Sequence, residues 1–117
     1  MGEVKKQSQI KISIGLDETN VPRTIHWQAD DAPDAQTPQE CKAMLLSLFD
    51  EAHKETLKID LWTKDMQVAE MDRFFFQTLR GLADTYFRAT QNQQLANDMQ
   101  RFVQYFGEET EIVPRAK

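Results

Sequence analysis

The sequence predicts an α+β protein: a four-stranded antiparallel sheet built from two hairpins, followed by two C-terminal helices packed on one face. Three observations carry this. Two stretches, 10–29 and 44–62, alternate apolar and polar residues with a period of two. From Asp65 the period changes to that of a helix. Turn-forming residues separate the alternating runs at hairpin distance.

The polar residues 1–8 are expected to be disordered, ahead of a single domain over 9–107 and a polar tail over 108–117. In "IKISIGL" the side chains of Ile10, Ile12, Ile14 and Leu16 fall on one face of a strand. "DETN" (17–20) is turn chemistry, because Asp and Asn bond their own backbone. "VPRTIHWQA" resumes with Ile25, Trp27 and Ala29 on one face. Pro22 cannot donate to a ladder and belongs at a strand start or edge. A four-residue turn pairs Leu16 with Val21, Ile12 with Ile25 and Ile10 with Trp27. "DDAPDAQTPQE" (30–40) is acidic, with two prolines, and reads as an exposed loop.

"CKAMLLSLFD" (41–50) could begin a helix, but the strand "TLKIDLW" follows at hairpin distance. A turn at 51–54 pairs Leu48 with Leu57, Leu46 with Ile59 and Met44 with Leu61, so the apolar faces match. Val68, Met71, Phe75, Leu79, Leu82 and Tyr86 then form the stripe of a helix reaching about Ala89, with Thr63 or Asp65 as its cap. "QNQQ" (91–94) marks a break. Leu95, Met99, Phe102, Val103 and Phe106 form a second stripe, stopped by Gly107.

Composition bounds the function. The 117 residues are 40% hydrophobic and 28% charged, as in ordinary globular proteins. A net charge of −5 with scattered basic residues offers no footprint for nucleic acid or an anionic membrane. No segment approaches the ~20 apolar residues of a membrane helix, so no membrane insertion is expected. The start has no signal-peptide pattern and Cys41 is the only cysteine; a cytoplasmic protein without disulfides is the expectation.

Chemistry is sparse. His26 lies on the polar face of the second strand, and His53 in a turn beside Asp50 and Glu51. A metal needs three or four convergent ligands, and a surface and a solvated-turn histidine are the simpler reading. Cys41 follows an acidic loop, which raises a thiol pKa rather than activating it. The glycines form no phosphate-cradling loop, and no serine sits in a nucleophile elbow. No catalytic, cofactor or metal residue is assigned, and an enzyme is not expected. An active site, if any, would need residues such as His26, Asp60 and Trp62.

Interaction surfaces are better supported. The register places Leu45, Ser47 and Phe49 opposite Lys58, Asp60 and Trp62 on the polar face of the sheet, with His26 on the same face. Leu45, Phe49 and Trp62 are then an apolar patch in a polar rim, as interface anchors are. Cover by the 30–40 loop is the alternative. Of Phe74, Phe75 and Phe76, one must face away from the sheet, against the second helix or a partner. The first helix, roughly 24 residues and about 36 Å long, outreaches a strand of about 23 Å. An overhanging amphipathic helix suits a homodimer or higher homo-oligomer.

"VPRTIHW", "KAMLLSLFD", "ETLKIDLWTKDM", "MDRFFFQTL" and "LADTYFRAT" closely resemble the gliding-motility GldC family of Bacteroidota, over about residues 9–107. Loop 30–40 and the tail after Gly107 match poorly. The resemblance implies a small soluble cytoplasmic accessory of the gliding machinery, with no catalytic residue to carry across. Two functions follow as expectations. One is a protein-interaction module for a component of the gliding or associated secretion machinery, docking through Leu45, Phe49, Trp62 and His26. The other is a holdase chaperone for exported or motility proteins, because strands followed by two helices in an acidic chain are similar to the export chaperone SecB. That likeness is one of fold, which does not decide function.

Overall fold

A computed structural model describes residues 2–35 and 37–115. The chain forms two compact parts, one ending at Met66 and the other beginning at Gln67. The first holds β1 (Ile10–Leu16), β2 (Pro22–Ala29), β3 (Gln39–Cys41), β4 (Ala43–Phe49) and β5 (Thr56–Trp62). The second holds α1 (Val68–Thr90) and α2 (Gln93–Glu109). The α+β class and the two C-terminal helices are as expected from the periodicity.

The single four-stranded sheet is not. The strands form a three-stranded sheet, β1-β2-β3, and a two-stranded one, β4-β5. The cause is a bend at Lys42. Before it, Gln39–Cys41 pairs with β2 through Ile25↔Cys41, His26↔Glu40 and Trp27↔Gln39. After it, the chain pairs with β5 instead. The Lys42 carbonyl accepts the Thr63 amide at 2.8 Å, and the Lys64 amide reaches the Pro22 carbonyl at 3.2 Å. Gln39 and Glu40 therefore belong to a strand rather than to the acidic loop.

The second hairpin has the expected register: Leu48↔Leu57, Leu46↔Ile59 and Met44↔Leu61. Its turn closes through the Asp50 amide on the Glu55 carbonyl, 2.7 Å. Up to Gly15 the first hairpin is displaced by two residues from the expected pairing, with Ile12 facing Trp27 and Ile14 facing Ile25. Beyond a register irregularity between Gly15 and Leu16, Leu16 faces Pro22, one residue from the expected Val21. The reason is the turn. The Asp17 carboxylate accepts from the Thr19 amide and hydroxyl, each at 2.8 Å, from the Val21 amide at 3.1 Å and from Arg23 Nε at 3.0 Å. Asn20 takes a left-handed φ of 62°, which Asn tolerates. Val21 is thereby drawn into the turn. Up to Gly15 the shift is even, so the apolar faces survive it there. Ile25, between Ile14 and Cys41, is fully buried.

These bonds, the Thr19 hydroxyl first, hold the Asp17 carboxyl well below the usual carboxylate range. A depressed folded-state pKa contributes stability above the unfolded carboxylate pKa and loses it as pH falls through the folded value. Asp17→Asn is thus expected to destabilise the chain at pH 7, with the gap closing in acid. Urea midpoints of both proteins at pH 7 and across acid pH check this.

In the second part the helices meet along a seam of Phe76 and Ala83 from α1 and Ala96, Val103 and Gly107 from α2, all buried. Phe76 is the aromatic of the triple run that the second helix covers; Phe75 stays exposed. Neither Thr63 nor Asp65 caps α1. The Thr63 hydroxyl bonds Asp65 at 2.6 Å, and the Glu70 carboxylate takes the amide of the cap residue, Gln67, at 3.0 Å. Gln91, with φ 60°, ends α1, and the Asn92 side chain accepts from the Leu95 amide at 3.1 Å to start α2.

Gly107 does not stop α2. The helix runs to Glu109, and Glu111 adopts the left-handed terminating conformation, φ 61°. The Ile112 amide bonds the Gly107 carbonyl at 2.8 Å and the Glu111 amide the Glu108 carbonyl at 3.1 Å, a Schellman closure. Gly107 serves packing instead. A Cβ there would lie 2.6 Å from Phe76 Cε1 and 2.9 Å from Val113 Cγ2. At Gly81, in the unbroken α1, a Cβ meets nothing within 4 Å.

The two glycines should respond oppositely to alanine. Gly81→Ala is expected to stabilise by about 0.5–1 kcal/mol, the helix-propensity gain. Gly107→Ala has the same gain, but overpacking at about 1–3 kcal/mol outweighs it. Denaturant midpoints of both variants decide.

Candidate functional site

The β4–β5 hairpin presents three of the four expected candidate residues, Leu45, Phe49 and Trp62. Its register sets Ala43 opposite Trp62, Leu45 opposite Asp60, Ser47 opposite Lys58 and Phe49 opposite Thr56. Leu45 and Trp62 are diagonal neighbours on one face, within reach of an aromatic side chain. Trp62 is 54% exposed, Phe49 68% and Leu45 36%.

Phe49 is not beside them. It lies six residues beyond Ala43, the partner of Trp62 (49 − 43 = 6), a separation of about 20 Å at the ordinary rise of a strand. Between the two ends stand Ser47 and the Lys58–Asp60 pair, whose charges meet at 2.9 Å. The face therefore carries an exposed aromatic side chain toward each end and a neutralised polar middle. His26 lies elsewhere, on the three-stranded sheet, paired across Ser13 and Glu40. It lines a depression of about 330 Å³ with Lys11, Ser13, Trp27, Gln28 and Pro38.

The opposite face of the same hairpin carries the residues that the alternation placed in a core. Leu48, Leu57 and Ile59 are exposed there as well. An isolated two-stranded ribbon is at best marginally stable in water, and this hairpin leaves apolar side chains open on both faces.

Among the described residues, reactive groups do not converge. Cys41 is half-buried; desolvation, with the charge of Glu40 adding to it, pushes its thiol up, away from the nucleophilic thiolate. The Asp50 carboxylate accepts the His53 amide at 2.7 Å and contacts its ring Nδ1 at 2.8 Å, which lowers the acid's pKa and closes the turn. Asp65 is held low first by the Thr63 hydroxyl and then by the charge of Lys42. Among the described residues, no group of three His, Cys, Asp or Glu is placed to hold a metal ion. Also among them, no helix is long and apolar enough to cross a membrane.

A family model described as gliding motility-associated protein GldC-like matches residues 22–112. The chain belongs to the GldC-like family. The matched stretch takes in β2 to α2, including the whole hairpin with Phe49 and Trp62, and leaves out β1. No curated protein and no solved structure matched. Membership of a gliding motility-associated family thus rests on the region that holds the candidate surface.

Proposed function

We propose that this GldC-like chain is a non-enzymatic, cytoplasmic accessory protein of gliding motility that docks a protein component of the gliding or associated secretion machinery through the β4–β5 hairpin. One observation carries the reading. A family member associated with gliding holds Trp62 and Phe49 in solvent at the two ends of one hairpin face, about 20 Å apart. Exposed aromatics framed by polar groups are what interface anchors look like. A partner helix of about 13 residues would span both anchors. The neutralised Lys58–Asp60 middle tolerates an uncharged partner surface.

The test is motility. Cells carrying Phe49→Ser together with Trp62→Ala, in a chain shown to fold by circular dichroism, are expected to lose or weaken gliding. Unchanged gliding with normally folded protein contradicts the mapping.

A second reading is favoured by Leu48, Leu57 and Ile59, which leave the other face of the hairpin open too. Apolar surface on both faces suits a holdase chaperone of exported or motility proteins. It predicts suppression of aggregation of a heat-unfolded client at stoichiometric ratio; no suppression removes it.

A further inference from the structure

We infer that β1 is a seam between two copies of this chain, pairing antiparallel with itself about a two-fold axis at Ser13. The inference rests on β1 alone and is independent of the hairpin surface, so either can fail without the other.

Among the described residues β1 is an edge strand, bonded to β2 alone. The Gln9 carbonyl accepts the Asp30 amide at 3.0 Å, in the same register as the rest of the pair. In an antiparallel ladder this turns the backbone groups of the odd residues toward β2 and those of the even residues outward. Ile10, Ile12, Ile14 and Leu16 thus present their N–H and C=O groups to an open edge. Their side chains are open too: Ile10 is 74% exposed, Leu16 54%, Ile12 37% and Ile14 36%. Native edges are ordinarily blunted by proline, by charge or by bulges. β1 has no proline, Lys11 is its one charged residue, and its register irregularity falls at the end, between Gly15 and Leu16.

The occupant follows from the strand itself. Read outward from Ser13, "IKISIGL" gives the same kinds of residue in both directions. Ile12 matches Ile14, Lys11 matches Gly15 and Ile10 matches Leu16. In a self-pair every outward-bonding residue is apolar and faces an apolar one. Lys11 meets a glycine, not a second lysine, and Ser13 meets Ser13. A slip of one residue would set isoleucines against Lys, Ser and Gly, and a slip of two would leave two residues of the strand unpaired, so the axis at Ser13 is the one that pairs the whole strand. The same patch on both copies is the isologous arrangement of two-fold dimers. It joins two three-stranded sheets into one continuous sheet.

Cross-linking tests the register. In a Cys41→Ser background, Ser13→Cys places two thiols in a non-hydrogen-bonded pair with Cα atoms about 4.5 Å apart, within disulfide reach. Lys11→Cys places them about 13 Å apart, out of reach. Under mild oxidation Ser13→Cys is expected to form a covalent dimer at least tenfold faster than Lys11→Cys. The native chain is expected to sediment near twice 13.6 kDa, and a folded Ile12→Lys/Ile14→Lys variant near 13.6 kDa. A native mass of 13.6 kDa across the micromolar range overturns the inference. So does equal cross-linking at both positions, which would mean random encounter or a different partner for the edge.

Discussion

Phe76→Ala is expected to destabilise the helical part by about 3–5 kcal/mol, the cost of deleting a buried phenylalanine. Phe76 is 7% exposed, and its ring edge lies against Gly107 on the facing helix. The position opposite therefore has no side chain that could move into the space. With glycine opposite, the facing helix offers little to fill the cavity, which places the loss toward the upper end of the range. The Arg80 guanidinium also sits over the ring, 5.5 Å from its centroid, and loses that contact. Phe75→Ala, one residue away, removes a ring that is already 38% exposed. Its cost should be about 1 kcal/mol, within the ordinary range for a point substitution. Urea unfolding of both variants, followed by helical circular dichroism, compares the two directly. Equal losses would mean that Phe76 does not form the seam.

Trp62→Ala is expected to weaken partner binding by about 2–4 kcal/mol, some thirty-fold to several hundred-fold, while leaving the fold within about 0.5 kcal/mol of native. The asymmetry comes from exposure. In the free chain the indole is half in water and contributes little to stability. Once bound it would be desolvated beside Leu45. Phe49→Ala should act in the same direction, and because the two anchors stand about 20 Å apart their effects should add closely. Neutralising the pair between them, as Lys58→Gln with Asp60→Asn, should change affinity far less, since exposed ion pairs contribute little. Binding kinetics should show the Trp62 effect mainly in the dissociation rate.

Much of this architecture was legible in the residues. The alternation of Met44, Leu46 and Leu48 against Leu57, Ile59 and Leu61, together with a four-residue turn at 51–54, set the second hairpin's register. That register in turn put Leu45 next to Trp62. The first hairpin was legible in its faces but not in its pairing, since the bonds of Asp17 that pull Val21 into the turn are invisible to periodicity. β3 was hidden because Pro38 and Glu40 carry loop composition, and because a bend at Lys42 leaves no mark on an alternating pattern. Gly107 read as a stop because glycine so often ends helices; its role against Phe76 depends on a contact 31 positions distant (107 − 76 = 31). The exposure of Leu48, Leu57 and the β1 isoleucines was illegible for a more general reason. Alternation tells which side chains share a face and says nothing of what covers that face.

The most direct test of docking through the hairpin is capture from native gliding cells. Tagged chain and its Trp62→Ala variant would be compared at equal, folded concentration, with bound proteins identified and quantified by mass spectrometry. The proposal predicts one protein near stoichiometry with the native chain and its loss with the variant. A broad spread of unfolded or exported proteins, held equally by both, would contradict it and make the chain a holdase in which Trp62 is only one of many exposed apolar groups.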